Sequence, residues 1–285
     1  MPSAARILMC PPDFYGIEYE INPWMNCQIG SDLAESQRQW IALRQTLIDL
    51  GATVETMEPV AGLPDLVFTA NAGLIYEDLF LSSRFRYGVR QGETPYFESW
   101  FAANGFRVES LPEDRFFEGA GDALFCGETL IAGYRFRSDA KSHLWLGDRL
   151  GIQVLPLELV DPRYYHLDTC FCPLNEGEAI YFPNAFDEYG RSVLAERIPH
   201  LIAVSADEAV SFSCNAVVVG RTVVLNDGSP KLAASLVEAG YTVRPLRLTE
   251  FIKAGGSAKC LTLRLDGEEA ATWRQNRLVM AASGR

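Results

Sequence analysis

The stretch KLAASLVEAGYTVRPL, residues 231–246, joins an amphipathic helix to a strand. Its apolar residues recur at helical spacing, Gly240 ends the helix, and β-branched residues follow the glycine. The spacing between the copies of this pattern, roughly 40 to 55 residues, is typical of repeat proteins. The other copies are WIALRQTLIDLGATVETM (40–57), YFESWFAANGFRVESL (96–111), HLWLGDRLGIQVLPL (143–157) and a weaker one without the glycine, RSVLAERIPHLIAVS (191–205).

Pairs of short β-rich runs precede the later helices, and polar turns join the runs into predicted hairpins. They are LVFTANAGLIYEDLFLSS (66–83), DALFCGETLIAGY (122–134), DTCFCPLNEGEAIYFP (168–183) and NAVVVGRTVVLN (215–226). The predicted fold class is therefore α/β, a five-bladed pseudo-symmetric ββαβ propeller with helices outside and strand ends around a central channel. The alternative is a generic α/β sandwich with accidental internal similarity. Since no linker is visible, we expect a single domain over residues 1–285.

The composition and charge of the chain limit the binding partners and the cellular compartment that we expect for the protein. The chain of 285 residues is 48% hydrophobic and carries a formal net charge of -12. Without a Lys/Arg-rich stretch, nucleic acid is not an expected partner. Without a signal peptide or an apolar stretch of roughly 20 residues, we expect no membrane partner and a cytoplasmic protein, with its seven scattered cysteines reduced. An acidic surface is compatible with a cationic substrate but does not identify one.

Polar residues stand at equivalent places in the repeat, where each precedes or opens an apolar strand. In a closed ring these strand ends would meet at one central site. The residues are Asn71, Glu118, Asp122, His166 and Cys260.

Cys260 and His166 form a candidate nucleophile and proton carrier. Cys260 follows the loop GGSA (255–258), whose backbone can approach a ligand closely and whose amides can stabilise a thiolate. His166 is one of three histidines, and the others, His143 and His200, fall on predicted helices or their ends and are interpreted as structural or surface residues. The alternatives are a small buried core cysteine and a core histidine.

Glu118 and Asp122 flank the tripeptide GAG between aromatic and apolar residues, so we expect at least one of them to be buried. A buried carboxylate needs a partner, and a cationic substrate would be one; two solvated loop charges are the alternative.

The stretch HLDTCFC also permits a metal-site interpretation, because strand alternation puts four possible ligands on one face. Positions i and i+2 of a strand lie about 6.6 Å apart, too far for several of them to bind one ion easily. We predict no metal and, without a P-loop or GxGxxG motif, no cofactor. The four residues are His166, Asp168, Cys170 and Cys172.

The repeat, together with FEGAGDAL (117–124), HLDTCFCPL (166–174) and GGSAKCLTL (255–263), resembles the guanidine-modifying superfamily, the penteins. The resemblance covers about residues 6–266. That superfamily includes arginine deiminases, dimethylarginine dimethylaminohydrolases and amidinotransferases. The resemblance implies that Cys260 is the nucleophile, His166 the general acid/base and Glu118, aided by Asp122, the group that holds a guanidinium.

Further residues resemble substrate-binding positions of the superfamily. Arg90 in VRQGETP and Arg137 in GYRFRSD resemble arginines that bind the substrate carboxylate, with solvated surface charges as the alternative. EINPWM (20–25) implies that Asn22 binds substrate, although a turn former before Pro23 is an equally good interpretation.

TANA (69–72) separates two branches of the superfamily. The dimethylaminohydrolases have an acidic residue where this chain has Asn71, and TANA instead resembles the arginine and succinylarginine dihydrolases. With EINPWM and the chain length, the resemblance is greatest to the cyanobacterial type of arginine dihydrolase. It implies hydrolysis of L-arginine to L-ornithine, two ammonia and carbon dioxide through a covalent thiouronium on Cys260, without a cofactor.

Two alternatives remain open from the sequence. One is a single-step arginine deiminase or dimethylarginine dimethylaminohydrolase, which would give citrulline. The other is a non-catalytic arginine-binding sensor on the same scaffold. The sequence is compatible with a homo-oligomer but does not decide the oligomeric state.

Overall fold

The computed structural model describes residues 4–274. The strands in that range are β1 (Arg6–Met9), β2 (Thr53–Thr56), β3 (Gly73–Tyr76), β4 (Leu79–Ser82), β5 (Arg107–Ser110), β6 (Ala123–Cys126), β7 (Thr129–Tyr134), β8 (Val154–Glu158), β9 (Phe171–Asn175), β10 (Glu178–Tyr181), β11 (His200–Ala203), β12 (Val217–Val219), β13 (Thr222–Asn226), β14 (Thr242–Leu246) and β15 (Leu263–Arg264). The α-helices are α1 (Leu33–Asp49), α2 (Gly88–Gln91), α3 (Thr94–Ala103), α4 (Ala140–Leu150), α5 (Glu188–Arg197), α6 (Ala206–Ala209), α7 (Pro230–Glu238) and α8 (Thr249–Ile252).

The described strands form five three-stranded sheets, numbered here as blades one to five: β15–β1–β2, β3–β4–β5, β6–β7–β8, β9–β10–β11 and β12–β13–β14. In every blade the first pair of strands is antiparallel and the second pair is parallel. Parallel neighbours need a crossover connection, and α1, α3, α4, α5 and α7 supply it in turn. The predicted ββαβ unit, repeated five times, is confirmed.

Blade one closes the ring, because it combines strands from the two ends of the described chain. Ile7 of β1 lies opposite Arg264 of β15, and Leu8 lies opposite Leu263. The short β15 therefore fixes the segment before it, which contains Cys260, against the first strand of the protein.

Glycines end the repeated helices in the left-handed conformation. The φ angles are +87° at Gly51, +84° at Gly105, +66° at Gly151 and +83° at Gly240. Left-handed φ is free of steric cost only for glycine, so these residues turn the chain from helix to strand. The fourth, weaker copy does without a glycine: α5 ends at Arg197 and β11 begins at His200.

Apolar faces of the outer helices pack on the blades. Trp40, Leu43 and Leu47 of α1 are buried. In blade two the rings of Phe80 on β4 and Phe101 on α3 stack with their centroids 3.6 Å apart, and both side chains are fully buried. Such packing makes the blades a firm support for the strand ends inside the ring.

Three remaining expectations concern single segments. His143 lies buried in α4, 2.7 Å from the carbonyl oxygen of Gly133 through its Nε2, and His200 is exposed at the start of β11. No helix within residues 4–274 is long and apolar enough to cross a membrane. The tail EEAATWRQNRLVMAASGR (268–285) is predicted to form a terminal helix and a frayed end. Residues 272–274 are helical, and the part of the tail from residue 275 onward lies outside the described residues.

Candidate active site

The start of the first strand of each blade points into the ring. Short 3-10 turns cover residues 69–72 before β3, 119–121 before β6 and 167–169 before β9, and these turns pack against one another. Chain segments before β12 and β15 complete the circle. The polar residues at these five equivalent places are Asn71, Glu118 with Asp122, His166 with Asp168, Asn215, and Cys260, and every one of them is buried.

The thiol of Cys260 lies between an amide and a carboxylate. Its Sγ is 3.1 Å from Nδ2 of Asn215 and 3.3 Å from Oδ2 of Asp168. Burial, and then the charge of Asp168, raise the pKa of Cys260 well above its ordinary value, although donors from Ser257 and Asn215 partly oppose this. The thiol is therefore protonated at neutral pH until a cation comes close to the sulfur.

The glycines before Cys260 make room for its neighbours. Gly255 has φ +82°, and a Cβ there would lie 2.8 Å from the hydroxyl of Tyr165 and 2.9 Å from Oδ1 of Asn22. A Cβ on Gly256 would lie 2.5 Å from the ring of Phe68. The two glycines thus let the cysteine loop pack directly on side chains that surround the sulfur.

Asn215 was missed at the sequence level, although the signal was present. It opens the run NAVVV just as Asn71 opens NAGLI, each directly before an apolar strand. Its Oδ1 accepts hydrogen bonds from the amides of Ser257 and Cys260, both at 3.1 Å. Its Nδ2 contacts the carbonyl oxygen of Asp168 and the sulfur of Cys260. One amide side chain therefore fixes the whole cysteine loop.

The sequence singled out Asp168 only as a possible metal ligand, whereas in the structure its carboxylate contacts the sulfur of Cys260. Burial raises its pKa to about 7, and the charge of Lys259 opposes the rise. One carboxylate oxygen contacts Cys260, while the other, Oδ1, is buried without a hydrogen-bond partner. Such an oxygen can accept a bond from a ligand donor. Within residues 4–274 no group of three or more His, Cys, Asp or Glu side chains is arranged to hold a metal ion.

A buried hydrogen-bond network links Glu118 to His166 and to Arg137. Oε2 of Glu118 lies 2.8 Å from Nε2 of His166 and 2.8 Å from Nη1 of Arg137, and Oε1 accepts from the amide of Arg86. Burial raises the pKa of Glu118, but Arg137 and His166 outweigh burial and hold that pKa well below its ordinary value. Because an ionised carboxylate only accepts, the contact puts the proton of His166 on Nε2 and leaves the lone pair on Nδ1.

Burial also decides the charge of His166. It lowers the pKa of the imidazole to about 4, although the bond to Glu118 opposes the change. The ring is therefore neutral at physiological pH. It contacts Glu118, whereas the hydrogen-bond partners of the Cys260 sulfur are Asp168 and Asn215.

Arg90 holds Asn71 on the opposite wall. Nη1 of Arg90 donates to Oδ1 of Asn71 at 3.0 Å, while Nε and Nη2 form a paired bond to Glu93 at 2.7 and 2.8 Å. Gly121 permits this arrangement, since a Cβ there would lie 2.2 Å from Nδ2 of Asn71. Asp65, another buried carboxylate that the sequence did not single out, lies 3.7 Å from Nε of Arg90, and its Oδ1 has no partner.

A cavity of about 10 Å³ lies among these groups, space for roughly one water molecule. Five of the predicted site residues line it: Asn22, Asn71, Arg90, Arg137 and Cys260, together with Asp65 and Tyr165.

Asn22 both lines this cavity and forms a turn. Its Oδ1 accepts from the amides of Trp24 and Met25, and its Nδ2 donates to the carbonyl of Ala254 at 3.0 Å. The segment before α1 therefore covers the cavity and is attached to the cysteine loop.

Asp122 does not line the cavity. Its Oδ2 accepts from the hydroxyl of Ser138 at 2.6 Å, and its Oδ1 accepts from the amide of Leu167 at 3.1 Å. Burial raises its pKa well above the ordinary value. The carboxyl group thus anchors the turn that carries His166 and Asp168, and its expected contact with a substrate has no counterpart in the closed site.

Comparisons with known proteins support the resemblance to guanidine-modifying enzymes. No family model matches the chain. It is 50% identical over 270 residues to the bifunctional arginine dihydrolase/ornithine cyclodeaminase ArgZ of Synechocystis sp., a match that covers 93% of this chain and 38% of that protein. It is 40% identical over 264 residues to the N(G),N(G)-dimethylarginine dimethylaminohydrolase of Mycobacterium tuberculosis, with 93% and 87% covered. This chain belongs to the guanidine-modifying superfamily.

A solved structure supports the same membership. The N-terminal domain of ArgZ, as a variant covalently bound to a reaction intermediate, superimposes with a TM-score of 0.90 at 49% identity and covers 94% of this chain and 99% of that one. The predicted family and the pentein fold are therefore confirmed. The chain spans about two fifths, 38%, of the length of the bifunctional relative.

Proposed function

We propose that this chain hydrolyses L-arginine to L-ornithine, two ammonia and carbon dioxide through a covalent intermediate on Cys260. The observation that carries the proposal is a buried thiol, 3.3 Å from the carboxylate of Asp168, in a cavity shared with Asn71. The similarity to the arginine dihydrolase ArgZ supports the substrate, and the ArgZ structure with a bound intermediate supports the covalent route.

Asp168 is the residue we assign to the guanidinium. Its Oδ1 has no partner and its Oδ2 contacts the sulfur, so one carboxylate can hold the cation against the nucleophile. This assignment replaces the expectation for Glu118, whose oxygens already accept bonds from Arg137, His166 and the Arg86 amide. Glu118 then acts on His166 rather than on the substrate.

The α-carboxylate of arginine is assigned mainly to Arg137. A guanidinium offers five N–H donors. Arg90 uses four of them, two on Glu93 and one each on Asn71 and the carbonyl of Asp65. Arg137 uses two, on Glu118 and the carbonyl of Ile21, and keeps three for a ligand.

Substrate access requires the walls of the cavity to move, because the space of about 10 Å³ is far below that of a ligand pocket. The segment before α1 is one of these walls, and three hydrogen bonds attach residues 21–24 to the rest of the ring. Asn22 is bonded to Ala254, the carbonyl of Ile21 to Arg137, and the indole of Trp24 to the carbonyl of Arg163. Asn22 can then contact arginine as the segment closes over it.

The first half-reaction starts when the guanidinium reaches Asp168. Its positive charge lowers the pKa of Cys260, and the thiol proton passes to the neutral His166. The thiolate attacks the guanidinium carbon, and His166 gives the proton to the departing ammonia. His166 next takes a proton from water, which attacks the thiouronium and releases the ureido compound citrulline.

The second half-reaction depends on Asn71. The ureido group of citrulline is neutral and a poor electrophile, so the site must retain and polarise it. An amide can donate to the ureido oxygen and accept from its nitrogen, whereas a carboxylate only accepts and would oppose that oxygen. A second attack by Cys260 then releases ammonia, and water releases the carbon as carbon dioxide and leaves ornithine.

The test is product analysis with purified protein and L-arginine, in which ammonia, citrulline and ornithine are counted. We expect two ammonia for each ornithine. Asn71→Asp should accumulate citrulline, because the new carboxylate would pair with Arg90, 3.0 Å away, and keep the fold while losing the donor. Cys260→Ser is the inactive control.

Other outcomes identify the alternatives. Citrulline with one ammonia from the unaltered chain would make it an arginine deiminase. Citrulline with dimethylamine from dimethylarginine, and none from arginine, would make it a dimethylaminohydrolase like the relative from M. tuberculosis. Arginine binding without turnover would make it a sensor, and unchanged ornithine output from Asn71→Asp would contradict the role given to Asn71.

A further inference from the structure

A second cavity lies in blade two, between the end of β4 and the start of α3. Its volume is about 250 Å³, close to the lower end of small-ligand pockets, and it shares no lining residue with the cavity at Cys260. Seven polar residues line it: Ser82, Ser83, Arg84, Gln91, Thr94, Glu98 and Ser110.

One side of this cavity is cationic and has unused donors. Arg84 forms no ion pair with any residue in the range 4–274, and its Nε is buried without a hydrogen-bond partner. The hydroxyl of Ser83 is also without a partner, although Ser83 is only 2% exposed. Buried donors left unbonded are costly, so two of them beside one cavity indicate a ligand with acceptor oxygens. Thr94 at the start of α3 adds the positive end of a helix.

The other side is anionic. Oε1 of Glu98 accepts from the hydroxyls of Ser82 and Ser110 at 2.7 and 2.8 Å, which fix the carboxylate in place. Among the described residues Glu98 has no cationic partner, and it does not pair with Arg84. A fixed anion repels phosphate and other polyanions, and Arg84 repels simple cations.

We propose that this cavity binds the zwitterionic head of a free α-amino acid. The ligand carboxylate lies on Arg84 and the hydroxyl of Ser83, and the ligand ammonium lies on Glu98. Two unpaired and opposite charges in one cavity are complementary to this head group, which carries the same two charges in reverse.

Backbone hydrogen bonds connect this second cavity to the residues around Cys260. Arg84 and Phe117 exchange amide-to-carbonyl hydrogen bonds at 2.9 and 3.1 Å, and the amide of Arg86 donates to Glu118. On the other side the ring of Phe85, which also lines the cavity, packs on the guanidinium of Arg90 at 4.5 Å. A bound amino acid would therefore contact the segment that holds both Glu118 and Arg90.

L-Alanine is the probe, because it carries the head group without a guanidine or ureido group. Isothermal titration should give saturable binding, weakened about tenfold or more by Arg84→Gln and by Glu98→Gln, since each removes a charge-assisted contact. Because the Arg84 side chain has no ion pair among the described residues and its Nε has no hydrogen-bond partner, Arg84→Gln should fold normally. Arg107→Gln, which removes an exposed arginine of the same blade, is the matched control and should bind as the unaltered chain does.

Three results would overturn the proposal. They are no saturable binding of L-alanine, an affinity for L-alanine that neither Arg84→Gln nor Glu98→Gln changes from that of the unaltered chain, and binding of acetate or methylammonium alone as tightly as L-alanine. Unchanged affinity in both variants would assign any observed binding to the cavity at Cys260. Because all three readouts are binding measurements, they are independent of whether arginine is hydrolysed.

Discussion

Replacement of Asn215 by alanine tests how the cysteine loop is held. The change removes the acceptor of two amides, those of Ser257 and Cys260, and the donor that contacts the Cys260 sulfur at 3.1 Å. All of these groups are buried. The substitution should therefore lower both the stability of the fold and the acidity of the thiol.

The two effects have separate magnitudes. A buried amide without a partner costs about 1–3 kcal/mol, so the two amides predict a loss of about 2–6 kcal/mol in the free energy of unfolding. A hydrogen bond to a charged group contributes about 1.5–3 kcal/mol, so loss of the Asn215 donor should raise the pKa of Cys260 further. At neutral pH the thiolate fraction, and with it kcat/KM for arginine, should fall about 10- to 100-fold.

Asn226→Ala is the matched control. Asn226 is equally buried, its Nδ2 contacts the carbonyls of Ser211 and Asp227, and its Oδ1 accepts from the amide of Leu248. None of these hydrogen bonds involves the cysteine loop. Urea unfolding should show a loss of stability in both variants, whereas the pH profile of kcat/KM should move to higher pH only in Asn215→Ala.

The reasoning fails if Asn215→Ala unfolds at lower urea but keeps the pH profile of the unaltered chain. In that case the amide would support the loop without stabilising the thiolate. It fails equally if both asparagine variants shift the profile by the same amount, because the effect would then come from general loosening of blade five.

Two further predictions concern the glycine loop and acid stability. Gly255→Ala should lower the free energy of unfolding by about 2–5 kcal/mol, because it adds left-handed strain and a clash with Tyr165. Gly151, with φ +66°, has open space around it, so Gly151→Ala should lower that free energy by only about 1–2 kcal/mol. Equal losses of the two variants in urea unfolding would refute the crowding argument. Burial lowers the pKa of His143 from 6.5 to about 4, so its contribution to stability is complete above pH 6.5 and is lost as the pH falls toward 4. In His143→Gln the new side chain can keep the bond to Gly133 but does not titrate. Between pH 6.5 and 4 the unfolding free energy of this variant should therefore fall by up to about 3 kcal/mol less than that of the unaltered chain. Parallel pH curves of the two proteins in urea unfolding would contradict the lowered pKa of His143.

The five-fold architecture was predictable because its signals are local. Helical periodicity, a glycine such as Gly240 at a helix end and a tight turn between two apolar runs each lie within a few residues of one another. Their recurrence along the chain then indicates a ring without knowledge of any long-range contact. The polar residues that open the inner strands, including Cys260 and His166, could be placed at the centre by the same argument.

The pairing of those polar residues was decided by the tertiary structure. Asp168 and Cys260 are 92 positions apart and meet at 3.3 Å, and Glu118 meets His166 across 48 positions. Asp122, four residues after Glu118, turns away from the cavity to Ser138. Periodicity can say that a side chain points into the ring, but not which partner it meets.

The sequence by itself thus determined the repeat, the left-handed glycines and the set of central polar residues, because each follows from spacing within one blade. Only the tertiary structure decided that Asn215 fixes the cysteine loop, that Glu118 is hydrogen-bonded to His166, and that one oxygen of Asp168 remains without a hydrogen-bond partner. The physical reason is that charge and hydrogen-bonding capacity are shared between blades. A buried group's role depends on which of its atoms remain unpaired after the ring has closed.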